Sequence, residues 1–176
     1  MPIDEARSFV PLAVEILVIS DTRTEATDTS GATLRALVEG DGHRVVRFGV
    51  VPDDQATIEA ALRRAVSDPG VDVLLSTGGT GITARDVTPE AFRAVLEKEL
   101  PGFGELFRWV SFASVGTSTL QSRAVGGVAG RTLLFALPGS RGAVRDGWEK
   151  VLRDQLDARH RPCNFVELLP RMGAPR

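Results

Sequence analysis

An α/β domain with a mostly parallel sheet, covered by helices on both faces, is the fold class that the sequence predicts for residues 1–176. Three apolar, β-branched segments have the composition of strands buried on both faces: VEILVIS, HRVVRFGVV and VDVLLST. Helical segments separate these strands, and such alternation is typical of βαβ units with right-handed crossovers. A chain of 176 residues is long enough to bury a substantial core.

The first half of the chain supplies three strands, at residues 14–20, 43–51 and 71–77. Each of the two helices between them has an apolar face with helical spacing. The residues on these faces are Leu34, Leu37 and Val38 in the first helix, and Ile58, Ala61, Leu62, Ala65 and Val66 in the second. The third strand leads into a glycine-rich loop.

The second half begins with a helix for which Thr88 is the predicted N-cap and Pro89 the first helical residue. Another helix begins in PGFGELFRWVSF. The stretch AVGGVAGRTLLFALPGS predicts a hairpin that returns into a buried strand at residues 132–137. Ser140 is then a predicted N-cap for a long last helix at residues 141–158, and the tail RHRPCNFVELLPR is expected on the surface.

Composition excludes several classes of protein. The formal net charge of −2 gives no basic field for nucleic acid or an anionic membrane, and no apolar run reaches the length of a membrane span. The start MPIDEARSFVPLA lacks a signal-peptide pattern, so a cytoplasmic location is expected. The single cysteine, Cys163, excludes an internal disulfide and a cysteine-based zinc site. His43 and His160 lie far apart in the sequence, and surface roles are expected for both.

Polar or glycine-rich loops follow four of the predicted strands. In an open α/β sheet, ligands bind beyond the carboxyl ends of the strands, so these loops are expected to meet at one edge. The loops are Ser20–Arg23, Pro52–Asp54, Thr77–Asp86 and the turn Pro138, Gly139, Ser140.

The third of these loops, within STGGTGITARDVTPEAF, has the composition of an anion site. Gly78, Gly79 and Gly81 permit close backbone approach, so that successive N–H groups can form a nest, and Thr77 and Thr80 add hydroxyl donors. The alternative is a tight strand-to-helix turn that needs small residues. The spacing matches neither GxxxxGK[ST] nor GxGxxG, so neither a Walker loop nor a Rossmann dinucleotide site is supported.

Three aspartates lie beside the predicted phosphate site. Carboxylates next to phosphate call for a cation, and Mg²⁺ commonly binds one or two carboxylates together with substrate phosphates. A helix N-cap is the favoured role for Asp54, whereas for Asp53 the cap and the metal site are left open. Because Thr88 is the predicted cap of the next helix, Asp86 is free for the ligand. The residues alone therefore predict a phosphate-bearing ligand at the sheet edge, with Mg²⁺.

At these residues the chain resembles the MoaB/Mog family of molybdenum-cofactor biosynthesis proteins, whose domain also occurs in gephyrin and in the MoeA proteins. The matching stretches are SDTRTEATDTSG, PDD, STGGTGITARDVTPEA, PGFGE and PGS, and RPCNFVELLPR is similar to the MoaB branch. The resemblance implies a three-layer α/β/α molybdopterin-binding fold. It also implies transfer of AMP from Mg-ATP to the terminal phosphate of molybdopterin, with release of pyrophosphate.

The resemblance also implies roles for individual residues. Asp53 and Asp86 match the family's two essential aspartates, which implies catalytic and Mg²⁺-binding roles, while Thr77–Gly81 and Pro138–Ser140 match ligand-contacting loops. The matching stretches contain further polar residues expected to bind substrate or nucleotide: Ser20, Asp21, Asp28, Ser30 and Glu105. Glu105, Ser118, Ser122 and Arg123 are also polar residues in apolar surroundings.

The expected partners are ATP, molybdopterin and the downstream molybdate-inserting enzyme. The family resemblance implies a homo-oligomer, either a trimer or a hexamer. The alternative function is a non-catalytic molybdopterin-binding or accessory protein of the same pathway. A third hypothesis, a general nucleotide-dependent regulator, has no base-specific nucleotide motif in its support.

Overall fold

A six-stranded sheet between helices is the framework of the computed structural model, which describes residues 3–173. The strands are β1 (Ala13–Ile19), β2 (Arg44–Val51), β3 (Val73–Thr77), β4 (Lys98–Glu99), β5 (Val125–Ala129) and β6 (Thr132–Leu137). The α-helices are α1 (Thr29–Gly40), α2 (Gln55–Ser67), α3 (Thr88–Val95), α4 (Pro101–Val115), α5 (Arg141–Gly147) and α6 (Arg153–Gln155). The expected domain at residues 1–176 extends beyond the described residues at both ends.

The strand order is β2-β1-β3-β6-β5-β4. Strands β1, β2, β3 and β6 are parallel to their neighbours within this group, whereas β5 runs antiparallel to β6 and β4 antiparallel to β5. The predicted mostly parallel sheet is therefore confirmed, and so is the hairpin that leads into β6.

Two separate apolar clusters, one on each face of the sheet, confirm the three-layer α/β/α arrangement. Ile16 of β1 belongs to one cluster together with residues of α1, α4 and α5, and its neighbour Leu17 belongs to the other with residues of α2 and α3. Successive side chains of a strand point to opposite faces, so β1 contributes to both layers. This explains why the strand is apolar along almost its whole length.

Glu15 is the charged exception in β1 and is 1% exposed. Its carboxylate pairs with Arg47, 2.6 Å away, and with Arg64. Both arginines are partly exposed, which lets them neutralise the buried carboxylate while their own charges remain hydrated. A buried acid paired and hydrogen-bonded in this way avoids the large cost of an isolated buried charge.

The predicted last helix at residues 141–158 is shorter and less regular than expected. A π-helical segment, Trp148–Leu152, separates α5 from α6, and α6 ends at Gln155. The Phe165 N–H donates to the Gln155 carbonyl oxygen at 2.8 Å, so the tail satisfies a group at the helix end.

The prediction of a surface tail was wrong for much of the segment. Val166 and Leu169 belong to the core, and His160 and Asn164 are buried as well. The Asn164 side-chain amide donates to the carbonyl oxygens of Ala158 and His160, at 3.3 and 3.1 Å. These bonds let a polar side chain be buried where the tail folds back on itself.

The surface role expected for His43 was also wrong. His43 is 5% exposed, its Nδ1 accepts a hydrogen bond from the Leu12 N–H at 3.2 Å, and its ring meets Trp148 edge-on at 5.8 Å. Burial lowers the pKa of His43, although the charges of Asp41 and Asp157 oppose the shift. Within residues 3–173, none of the helices combines the length and apolarity needed to cross a membrane.

Candidate functional site

The four polar loops lie at one edge of the sheet, as the strand pattern predicts. The register sets Ile19 beside Val51, Val18 beside Thr77, and Thr77 beside Leu137. The carboxyl ends of β1, β2, β3 and β6 are therefore level with one another, and the loops that follow them surround a common space.

This space includes a cavity of about 400 Å³, which we call the polar cavity. Most of the predicted site residues line it: Ser20, Asp28, Ser30, Asp53, Thr77, Gly78, Gly79, Asp86, Gly139 and Ser140. Three arginines also line it, namely Arg23, Arg85 and Arg141. The polar cavity thus combines carboxylates, hydroxyl groups and guanidinium groups.

A second cavity of about 770 Å³ extends from the same loops to α4 and α5, and we call it the hydroxyl-lined cavity. Its wall includes the predicted residues Thr80, Gly81 and Pro138, the apolar side chains of Phe107 and Val115, and the hydroxyl groups of Ser111, Ser114, Ser118, Thr119 and Ser122. Both cavities are lined by Gly79, Asp86, Gly139 and Ser140. A ligand could therefore extend from one cavity into the other past Asp86.

The glycine-rich loop passes so close to β1 that side chains are excluded from it. Gly78 has a φ of +114°, and a Cβ there would lie 2.1 Å from the Ile19 carbonyl oxygen. Gly79 has a φ of +62°, and its Cβ would lie 2.8 Å from Asp53 Oδ1. Glycine is thus required both by backbone conformation and by contact with a predicted catalytic residue.

Two amides of this loop already have partners in the protein. The Gly78 N–H donates to the Leu137 carbonyl oxygen at 3.0 Å, and the Gly81 N–H bonds to the Asp86 carboxylate. Only the N–H groups of Gly79 and Thr80 remain as candidates for the predicted anion nest, which stays a prediction.

Asp53 and Asp54 have different roles although they are adjacent. The Asp54 carboxylate caps α2 and accepts hydrogen bonds from the Thr57 N–H at 2.8 Å and hydroxyl at 2.6 Å, as predicted. Asp53 lines the polar cavity. Burial raises the pKa of Asp53 and the negative charge of Asp21 raises it further, against the hydrogen bond from the Asp21 N–H and the charge of Arg85, while Asp86 makes the smallest contribution.

Asp86 is held in its ionised form by its own loop. Its Oδ2 accepts hydrogen bonds from the Thr83 N–H at 2.8 Å and the Thr83 hydroxyl at 2.6 Å. Burial opposes ionisation, but the hydrogen bonds from Thr83 and Gly81 outweigh it and hold the pKa of Asp86 below its usual range. The pKa values of Asp53 and Asp86 are therefore shifted in opposite directions.

Asp53 and Asp86 are the two carboxylates of the polar cavity that could hold Mg²⁺. Both residues line the polar cavity, and the charge of Asp86 makes a small contribution to the raised pKa of Asp53. A cation bound by both would relieve this repulsion, and Mg²⁺ usually takes one or two carboxylates, completing its shell with water and phosphate oxygens. Among the described residues, no group of three or more His, Cys, Asp or Glu side chains is arranged as a metal site.

Asp21 supports Asp53 from the neighbouring loop. The Asp21 N–H donates to Asp53 Oδ2 at 3.2 Å, and the Asp53 N–H donates to Asp21 Oδ1 at 3.1 Å. Asp21 also forms an ion pair with Arg85 of the glycine-rich loop. The hydrogen bond from Arg85, followed by that from the Asp53 N–H, lowers the pKa of Asp21.

Several predicted binding residues use their side chains to hold the loops together. Asp28 caps α1 by accepting hydrogen bonds from two of its backbone N–H groups. The Ser30 hydroxyl donates to the Gly139 carbonyl oxygen at 2.8 Å, and the Thr77 hydroxyl donates to that of Pro138 at 3.0 Å. Ser140 caps α5, as predicted.

The predicted capping role of Thr88 was wrong. Val87 occupies the N-cap position of α3, and Thr88 is the first helical residue. The Thr88 hydroxyl is buried and donates to the Gly78 carbonyl oxygen at 3.0 Å. It thus fastens the helix to the glycine-rich loop, and Pro89 occupies the second helical position.

The structure does not bring Glu105 to the other predicted residues. Glu105 is exposed on α4 and lines a separate depression with Arg93 and Arg108. Its position in the PGFGE stretch therefore does not connect it with either of the two cavities at the strand ends.

Two residues at the site, Ser111 and Arg123, were not predicted from the sequence to have the roles that the structure shows. Ser111 lines the hydroxyl-lined cavity and is 4% exposed, and its Oγ has no hydrogen-bond partner among residues 3–173. Arg123 fixes the glycine-rich loop, donating to the carbonyl oxygens of Gly81 at 2.7 Å and Asp86 at 2.5 Å. The only sequence signal for either was a polar residue in an apolar stretch.

Comparison with known proteins agrees with the geometry. The family model described as "Probable molybdopterin binding domain" matches residues 15–158. This range includes the four loops that follow the strands and line the two cavities. The chain belongs to the MoaB/Mog family. It is 48% identical over 157 residues to "Molybdenum cofactor biosynthesis protein B" of Escherichia coli K12, with 89% of this chain and 92% of that protein covered.

Solved structures of MoaB proteins have the same fold. A crystal structure of "Molybdenum cofactor biosynthesis protein B" superposes with a TM-score of 0.83 and 46% identity, covering 85% of this chain and 94% of the other. The "tungsten cofactor synthesizing protein MoaB" of Pyrococcus furiosus has a TM-score of 0.76 and 31% identity, covering 93% and 98%. This MoaB/Mog protein thus has relatives named for both molybdenum and tungsten cofactors.

Proposed function

We propose that this MoaB/Mog protein acts in molybdenum cofactor biosynthesis as a molybdopterin adenylyltransferase. It transfers AMP from Mg-ATP to the terminal phosphate of molybdopterin and releases pyrophosphate. The observation that carries the proposal is the meeting of two cavities of different character at Asp86, because a two-substrate transfer needs adjacent sites with the reacting groups at their junction.

The hydroxyl-lined cavity suits the pterin. A pterin is a flat, hydrogen-bonding ring system, and the wall combines apolar surface from Phe107 with hydroxyl groups. Arg145, Asp146, Glu149 and Lys150 also line it. The Ser111 hydroxyl is the strongest argument, because a buried polar group without a partner is costly unless a ligand supplies one. We assign Ser111 to hydrogen bonding with the pterin.

The polar cavity suits the phosphates of ATP. Its arginines can neutralise phosphate oxygens, and Asp53 and Asp86 can hold Mg²⁺. When bound, this ion would supply positive charge to the phosphate oxygens. Asp86 is ionised through its bonds from Thr83, while Asp21 and its N–H orient the carboxylate of Asp53.

The transfer needs no nucleophile from the protein. An oxygen of the terminal molybdopterin phosphate forms a bond to the α-phosphorus of ATP, and the bond from that phosphorus to the bridging oxygen breaks. Pyrophosphate leaves with that oxygen and its electron pair. The protein contributes by positioning the two substrates and by stabilising charge at the α-phosphate, with the N–H groups of Gly79 and Thr80 as the candidate donors.

We also propose that copies of the chain associate through the face formed by α4 and the following 3₁₀ turn, Gly116–Gln121. This face exposes several large apolar side chains: Leu106, Trp109, Phe112, Val115 and Leu120. Exposed apolar patches commonly mark interfaces between proteins. Light scattering should give the mass of a trimer or hexamer and a lower mass for the double variant Trp109→Glu, Leu120→Glu. An unchanged mass would exclude this face.

The proposed activity is tested with purified protein, molybdopterin, Mg²⁺ and ATP labelled at the α-phosphate. Label should move to the pterin in the unaltered protein and stay on ATP in Asp86→Asn, whose fold is checked by circular dichroism. Binding of molybdopterin without any transfer would instead support the non-catalytic alternative. The adenylylated molybdopterin that forms would then pass to the downstream molybdate-inserting enzyme.

A further inference from the structure

Arg85 lines the polar cavity, and its ion pair with Asp21 is exposed. The side chain of Arg85 is 67% exposed and that of Asp21 is 37% exposed. Exposed ion pairs contribute little to stability because water solvates both partners almost as well. Arg85 can therefore leave Asp21 for a stronger anion at small cost.

Two further arginines line the same cavity from other parts of the chain. Arg23 follows β1, and among residues 3–173 its guanidinium group donates a single, long hydrogen bond of 3.4 Å, to the Thr27 carbonyl oxygen. Arg141 is the first residue of α5 and is exposed. With Arg85 they give three guanidinium groups, from two loops and the start of α5, around one cavity.

Adenylyl transfer, on which this inference rests, produces a highly charged leaving group beside two aspartates whose negative charges already offset the charge of one Mg²⁺, so the leaving group needs further positive charge. Pyrophosphate takes the electron pair of the broken bond and carries several negative charges. Guanidinium groups bind such anions with paired, parallel hydrogen bonds.

We propose that Arg85, together with Arg23 and Arg141, binds the β- and γ-phosphates of ATP and then the released pyrophosphate. Asp21 is the partner of Arg85 in the ligand-free protein, and the incoming polyphosphate replaces it. Because Asp21 also bonds with Asp53, this exchange couples nucleotide binding to the carboxylate that we assign to Mg²⁺.

The proposal predicts effects of opposite sign at the two partners. Calorimetric titration with inorganic pyrophosphate, at constant Mg²⁺ concentration, should show about tenfold weaker binding in Arg85→Ala. Asp21→Asn should bind pyrophosphate more tightly, because Arg85 is no longer occupied. Arg85→Lys should be intermediate, because lysine keeps the charge but lacks the planar fork.

A double-mutant cycle separates exchange from simple charge repulsion. If Asp21 competes with pyrophosphate for Arg85, the increase in pyrophosphate affinity caused by Asp21→Asn should disappear when Arg85 is also replaced by alanine. If Asp21 only repels the anion, Asp21→Asn will still increase pyrophosphate affinity in the Arg85→Ala variant, and this result would exclude the exchange. Arg35→Ala is the matched control, because Arg35 forms a similarly exposed ion pair with Glu39 on α1.

Pyrophosphate binding is measured without turnover. The result can therefore reject the arginine site without rejecting adenylyl transfer, and the reverse also holds. Unchanged pyrophosphate binding in Arg85→Ala, or no binding by the unaltered protein, would overturn the arginine site even if adenylyl transfer is observed. Weaker binding in Arg85→Ala without any transfer would support the arginine site and reject the proposed reaction.

Discussion

Thr83 holds one carboxylate oxygen of Asp86 with both its N–H and its hydroxyl, at 2.8 and 2.6 Å. The two residues are three positions apart in the same loop, so the loop orients its own carboxylate. This arrangement keeps Asp86 ionised beside the junction of the two cavities, and it makes Thr83 a positioning residue for the proposed reaction.

Thr83→Val should therefore weaken catalysis. The variant keeps the N–H bond and the side-chain shape but loses a hydroxyl bond to a charged group, which is a loss of about 1.5–3 kcal/mol. We expect kcat to fall by about tenfold or more, with the dissociation constant for molybdopterin unchanged. Thr83→Ser should recover most of the activity. Full activity in Thr83→Val would show that the hydroxyl bond has no such role.

Ser111→Ala should affect stability and ligand binding in opposite directions. Removing a buried hydroxyl that lacks a partner should raise the Tm of the ligand-free protein, and removing a pterin bond of about 1 kcal/mol should weaken molybdopterin binding by roughly fivefold. Ser76→Ala is the matched control, since the Ser76 Oγ is also buried without a partner among the described residues, but Ser76 lines neither cavity. Equal effects of the two variants on pterin binding would exclude Ser111 as a ligand contact.

Asp53→Asn should stabilise the ligand-free protein at neutral pH. A carboxyl whose pKa is raised by folding contributes stability only at low pH, and this contribution is lost as the pH rises through the folded-state pKa. The neutral variant avoids that loss, so its Tm should exceed that of the unaltered protein near pH 7. The difference should disappear near pH 4, about the unfolded-state pKa of Asp. A Tm advantage that is equal at both pH values would contradict this explanation.

Asp21→Asn should shift the pH dependence of the reaction. The charge of Asp21 raises the pKa of Asp53, so removing it should lower that pKa. If ionised Asp53 is required for Mg²⁺, the acidic limb of kcat/KM for Mg-ATP should move to lower pH. The pH–rate profile in both proteins checks this, and a shift to higher pH would reject the role given to Asp53.

Gly78→Ala should destabilise the protein strongly, because the new Cβ would collide with a backbone oxygen of β1 at a positive φ. We expect a loss of more than about 2 kcal/mol in the free energy of unfolding. Gly40→Ala is the control: Gly40 lies at the end of α1 with open space around it, so this change should be neutral or slightly stabilising. Urea denaturation compares the two variants, and similar stabilities would show that the loop is not constrained as described.

Hydrophobic patterning predicted the parts of the fold that depend on local sequence. The strands up to Thr77 and the buried strand β6 were found within a few residues of their predicted positions, because segments buried on both faces are apolar throughout. The convergence of the loops followed from parallel strands alone. Asp54 was predicted correctly as a cap because its bond partner, Thr57, is only three residues away.

The errors occurred where a distant contact decides the role of a residue. Thr88 had the composition of a cap, but its hydroxyl bonds to Gly78, ten residues earlier. His43 is buried by its contact with Trp148, and Arg123 reaches the glycine-rich loop across 42 positions of sequence. Ser111 could not be distinguished from an ordinary helical serine until the cavity beside it was known.

The most direct test of the proposed adenylyl transfer is to follow α-labelled phosphate from ATP to molybdopterin in the presence of Mg²⁺. We expect labelled pterin and equimolar pyrophosphate with the unaltered protein, and neither product with Asp86→Asn. If Asp86→Asn transfers label at the normal rate, or if the unaltered protein binds both substrates and transfers none, the proposed function is contradicted.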